Sequence, residues 1–174
     1  TGVDLVTLEV PGLTSVQADL RDLPFEDKAF DVAFAISTLE HVGRDNTQYG
    51  LAVEEDDTLE VALRELRRVA ARVLVTVPTG ARQLLPEQSV YDPAEWVARF
   101  EGAGFAVFED ELYELTPDGW RSVPELGAGV RYGERGPAAS GVLCAELHAD
   151  TLGVRARMLM RDLRYRGDIR RVTG

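Results

Sequence analysis

Residues 16–42, V-Q-A-D-L-R-D-L-P-F-E-D-K-A-F-D-V-A-F-A-I-S-T-L-E-H-V, constrain this chain more than any other stretch. A short apolar run ends on Asp19, and a Leu23-Pro24-Phe25 turn follows. Phe30-Asp31 then opens a second apolar run, which closes on Ser37 and Thr38 before Glu40 and His41. An unbroken apolar run of that length reads as a strand buried on both faces of a parallel sheet. Strands joined by a tight loop, with polar or acidic carboxyl ends, are what an open α/β sheet presents to a ligand.

The remaining pattern extends that reading. Residues 1–5 read as the end of a strand carrying Asp4, broken from the next by Pro11-Gly12. Residues 15–18 are a short strand. Residues 58–69 place Leu59, Ala62, Leu63, Leu66 and Val69 at helical spacing opposite Glu60, Arg64, Glu65 and Arg68, which predicts an amphipathic helix. Residues 72–77, R-V-L-V-T-V, are a buried strand stopped by Pro78. Asp92-Pro93 is a cap with proline at the first helical position, opening a helix that turns Trp96, Val97 and Phe100 inward and ends at Gly102 or Gly104. Strands lie within 105–115 and 140–147, with no helical pattern between them, so they are expected to pair antiparallel. Alternating strands and helices give an α/β class with a mostly parallel sheet.

Composition excludes several functions. A net charge of -11 argues against binding a phosphate backbone. The single cysteine, Cys144, allows no internal disulfide and is expected in the core. No apolar run approaches the roughly 20 residues that span a bilayer, and no leader is visible, so a cytoplasmic protein is expected. Residues 1–148 are expected to form one domain. Residues 149–174 form a basic tail, with Leu159, Met160 and Leu163 at helical spacing, read as a partly helical surface or partner-binding segment.

Taken in order, D-L-R-D-L-P-F, F-D-V-A-F-A-I-S-T-L-E-H-V, a helix, R-V-L-V-T-V-P and G-A-G-F before a strand resemble a class I S-adenosylmethionine-dependent methyltransferase over residues 2–148. The resemblance implies a Rossmann-like sheet of order 3-2-1-4-5-7-6 with the seventh strand antiparallel. The strands of this chain would then be the second through the seventh. It implies that Asp4 accepts hydrogen bonds from the ribose hydroxyls of S-adenosylmethionine. Asp19 would accept from the adenine amino group, Leu20 would supply an adjacent amide and an apolar wall, and Ile36 and Ser37 would line the methionine portion. The family's first strand and Gly-rich turn would precede residue 1, so the chain is expected to be truncated at its amino end. Gly127-Ala128-Gly129 does not replace that turn, because it follows a polar loop and not a buried strand. The second and fourth strands would either pair with each other or stand apart around an open slot.

Some family members carry Glu-x-x-Glu-His after the fourth strand as a metal site. Here Ser37 stands at the first of those positions, which leaves too few hard ligands, so no metal is expected. His41 is the candidate general base for a substrate hydroxyl, with a pocket-rim histidine as the plainer reading. Asn46, Tyr49 and Gly50 lie on a long polar loop that could line an acceptor pocket. The implied function is methyl transfer to a small-molecule or sugar acceptor, achieved mainly by holding acceptor and methyl carbon in line. The alternative is a non-catalytic binding or scaffold module of the same fold.

Overall fold

The computed structural model describes residues 1–7, 9–47, 51, 52, 58–153 and 156. In chain order the elements are β1 (Gly2–Asp4), β2 (Ser15–Gln17), β3 (Phe30–Ile36), a single 3-10 turn (Leu39–His41), β4 (Asp45–Asn46) and β5 (Leu51–Ala52). Then come α1 (Thr58–Val69), β6 (Ala70–Pro78), β7 (Gln83–Leu84), β8 (Ser89–Val90), α2 (Pro93–Gly102), β9 (Ala106–Thr116), β10 (Gly119–Val123) and β11 (Gly141–His148). Tyr49, Gly50 and nearly all of the basic tail lie outside the described residues.

The α/β class holds, and the sheet comes in two main parts. β1 and β2 pair in parallel as a two-stranded sheet, while the larger sheet has the order β10-β9-β11-β6-β3. β3 runs parallel to β6, and β11 is inserted antiparallel between β6 and β9. β3, β6 and β9 therefore share one direction, and the last strand opposes them, as expected. The hairpin strand β10 was not legible. Its five residues are mostly exposed and show no apolar alternation to betray a strand. No helix among the described residues is long and apolar enough to cross a membrane.

β3 departs from its sequence reading. It is the edge of its sheet, with Phe34 71% and Ile36 55% exposed, so it is not buried on both faces. One face of the larger sheet carries the core: Ala35, Val73, Val75, Val77, Leu143, Ala145 and Leu147 pack there. α1 covers that face with the five apolar residues that its spacing selects. α2 adds Trp96 and Phe100, while Val97 is only half-buried. Its cap forms as expected, with the Asp92 carboxylate accepting from Glu95 N at 2.9 Å. Cys144 sits on the opposite face from Leu143 and Ala145 and is half-buried, so it is not a core residue. Partial burial still pushes its thiol pKa up.

The Leu-Pro-Phe turn is held by the end of α1. The Arg68 guanidinium donates to the carbonyls of Phe25 (2.7 Å) and Leu23 (3.0 Å), and to Glu65 Oε2 at 2.7 Å. Glu65 Oε2 in turn accepts from Leu23 N at 3.1 Å. Three loop backbone groups are thereby satisfied by one helix face, which fixes where β2 hands the chain to β3.

Candidate functional site

β1 and β3 do not pair. Between their sheets lies a cavity of about 510 Å³, lined by residues of both strands and floored by Leu66 and Val69 of α1. Asp4, Asp19, Leu20, Ser37 and His41, singled out from the sequence, all line it. Ile36 does not.

Asp4 ends β1. Its Oδ1 accepts from Val6 N at 3.1 Å, which turns the chain after the strand, and its Oδ2 has no hydrogen bond to a described residue. Asp19 is more committed. Its Oδ1 accepts from Arg21 N (2.8 Å) and Arg21 Nε (2.9 Å), and its Oδ2 accepts from Arg21 Nη2 at 2.5 Å. Those side-chain hydrogen bonds from Arg21 hold the Asp19 carboxyl below the usual carboxylate range. Arg21 itself lines the cavity and was missed at the sequence level. The Asp-x-Arg spacing, which suits a turn closed by a bidentate pair, was the available signal.

Ser37 leaves β3 in the left-handed region, at φ 48°. Its N–H donates to both Thr76 O (2.9 Å) and Thr76 Oγ1 (3.2 Å), which anchors a conformation costing roughly 1 kcal/mol or more in a non-glycine residue. That bend throws the chain into the 3-10 turn, where Leu39 and Glu40 are buried and His41 is half-exposed at the cavity. The segment between β7 and β8 grips this turn. His41 Nδ1 lies 2.6 Å from Glu87 O, and Arg44 donates through Nε (3.0 Å) and Nη2 to Leu85 O.

Glu40 is 3% exposed, and its Oε2 has no hydrogen-bond partner among the described residues. Burial pushes its carboxyl above the usual range. For an acid whose folded pKa is raised, the linked stability is complete below the unfolded value and is lost as pH rises through the folded one. Glu40→Gln is therefore expected to stabilise the fold near pH 7 by about 1 kcal/mol, or about 2–4 °C in the unfolding midpoint. The gain should vanish near pH 4. Thermal unfolding at the two pH values checks this, and a lower midpoint for the variant at pH 7 contradicts it.

Residues 3–72 match the family model described as a methyltransferase domain. That match covers less than half of the chain. The match takes in Asp4, Asp19, Leu20, Arg21, Ser37 and His41, but neither Thr76 nor the β7–β8 segment. Among solved structures, the methyltransferase-type fold is similar to that of the [4+2]-cyclase SpnF, with a TM-score of 0.50 and 18% identity over 77% of this chain and 56% of that one. It is also similar to a SAM-dependent methyltransferase of Thermotoga maritima, with a TM-score of 0.50 and 14% identity over 79% of this chain and 65% of that one. The chain thus spans less than two thirds of the length of either. Likeness at these identities establishes the fold, and a fold shared by a cyclase and a methyltransferase does not choose the reaction. No curated protein matches the chain by sequence.

S-adenosylmethionine is the cofactor that a methyltransferase-type domain implies, and the cavity suits it chemically. Asp4 brings to the cavity a carboxylate oxygen with no hydrogen bond to a described residue, and Leu20, Val32 and Phe34 bring apolar wall. Among the described residues, no group of three or more His, Cys, Asp or Glu is placed to hold a metal ion.

Proposed function

We propose that this domain binds S-adenosylmethionine in the cavity between β1 and β3 and transfers its methyl group to a hydroxyl or amine of a small-molecule or sugar acceptor. The observation that carries the reading is convergence. Asp4, Asp19, Leu20, Ser37 and His41 come from the ends of three strands and the turn beyond them, and they line one cavity. When bound, the cofactor supplies an electrophilic methyl on a sulfonium. Asp4 accepts from the ribose hydroxyls, and Leu20 flanks the adenine. Asp19 keeps lone pairs for the adenine amino group beside those that Arg21 uses. Ser37, at the strained bend, faces the methionine portion. His41 takes the acceptor's proton. The acidic chain with its single cysteine suits a cytoplasmic enzyme with a small acceptor.

The non-catalytic reading has one observation in its favour, the engagement of both Asp19 oxygens by Arg21. Isothermal titration of the chain with S-adenosylmethionine separates the two. Saturable binding, strengthened in Arg21→Ala, is expected for the enzyme reading. No heat from either protein overturns it in favour of the scaffold.

A further inference from the structure

We propose that the basic tail, residues 149–174, folds back as an amphipathic helix over the open face of the larger sheet. Leu159, Met160 and Leu163 then cover the apolar centre of that face, and the tail's arginines meet its carboxylates. Nothing in this depends on what the cavity between β1 and β3 binds.

Among the described residues, the larger sheet has one covered face and one open. α1 and α2 both lie on the side of Val73, Val75, Val77, Leu143, Ala145 and Leu147. Directly paired residues share a face. The registers therefore set Phe34 beside Leu74, Thr76 beside Cys144, and Val142 between Pro78 and Tyr113 on the other side. β11 is a central strand, yet only its residues on the covered side are buried, and those on the open side are half-buried. Phe34 and Ile36 on one edge strand are 71% and 55% exposed, and Trp120 on the other is 48% exposed. An apolar surface that runs from edge to edge of a sheet marks a docking site.

Charge and position select the tail as its occupant. Three carboxylates lie on the open face, Glu109, Glu111 and Glu146, the last paired with Arg72 and His148 of the same face. Residues 149–174 hold seven arginines and three aspartates, in a chain whose net charge is -11. The tail leaves the end of β11, in the middle of the sheet, where Ala149 N donates to Ala71 O at 3.0 Å. Residues 151–153 are already helical, and Gly153 N donates to Asp150 Oδ1 at 3.1 Å, as at a capped helix start. Leu152 in that first turn is 81% exposed and shares the helical phase of Leu159 and Leu163, so an apolar stripe begins there without cover.

The lengths agree. A helix from Thr151 to the residue before Gly167 is about 24 Å long, and the eight residues of β11 span about 26 Å. Running back along β11, the helix brings Met160 level with Cys144, because about nine helical residues rise as far as four residues of a strand.

Two readouts on the full chain test this. Cys144 is the single cysteine and lies on the open face, so alkylation of its thiol reports on cover. The double substitution Leu159→Asp and Leu163→Asp is expected to speed that alkylation by about tenfold or more, the factor that about 1.4 kcal/mol of docking confers. A nitroxide carried by Met160→Cys in a Cys144→Ser background is expected to broaden the methyl signals of Leu74 and Val142. It should spare Ala94, which is exposed on α2 across the sheet. Alkylation unchanged by the double substitution, or broadening at Ala94 equal to that at the two sheet residues, overturns the proposal. Broadening seen only when labelled chains are mixed with unlabelled ones assigns the face to a second copy and overturns it as well.

Discussion

Asp4→Asn should weaken S-adenosylmethionine binding by roughly 10- to 100-fold. The argument starts from the strand end. Asp4 Oδ1 is occupied by Val6 N, and the asparagine amide oxygen can take over that bond, so the turn after β1 survives the substitution. What changes is the other oxygen, which becomes an NH₂ group and presents donors to hydroxyls that had been donating. Hydrogen bonds to a charged acceptor contribute about 1.5–3 kcal/mol, which sets the expected range of affinity loss at about 1.4 kcal/mol per factor of ten. Calorimetric titration beside an unchanged circular-dichroism spectrum reads it directly. An affinity within twofold of the parent would remove Asp4 from the ribose site. The same result would leave the Asp19 side of the cavity as the only acidic anchor.

Asp4 also shows why some of the site was legible and some was not. A carboxylate closing a short apolar run at the end of a strand is a one-dimensional pattern, and so are Asp19 before the Leu-Pro-Phe turn and Ser37 after β3. Their convergence on one cavity follows once those runs are strands of an α/β fold. α1 and the cap of α2 were legible for the same reason, because helical spacing and an Asp-Pro pair are local signals. The edge position of β3 was not. An apolar run reads alike whether its second face meets helices or solvent, and Phe34 and Ile36 are of the second kind. Glu40 was equally hidden. A glutamate beside a histidine after a strand suggests a solvated turn, and the tertiary packing that buries its carboxyl leaves no local signal. Ile36 was carried into the site by resemblance, and it is not among the residues that line the cavity.

The second large effect concerns what holds the larger sheet and its helices together. Trp96 is fully buried on α2, its Nε1 donates to Pro78 O at 3.0 Å, and its ring meets Tyr91 edge-on at 5.0 Å and stacks on Phe100 at 5.7 Å. It thus joins α2 to the end of β6, the strand next to β3 and hence to the cavity. Truncation to alanine removes the indole's contacts, leaves a void and orphans the Pro78 carbonyl. Loss of a core tryptophan costs about 3–5 kcal/mol, a large share of the roughly 5–15 kcal/mol that a domain has in total. The unfolding midpoint of Trp96→Ala is expected to fall by about 10 °C. Trp96→Phe should lose less, since it keeps ring packing while giving up the hydrogen bond. Urea unfolding distinguishes the two contributions. If the phenylalanine variant is as unstable as the alanine variant, then the Pro78 hydrogen bond and not the packing is what joins α2 to β6.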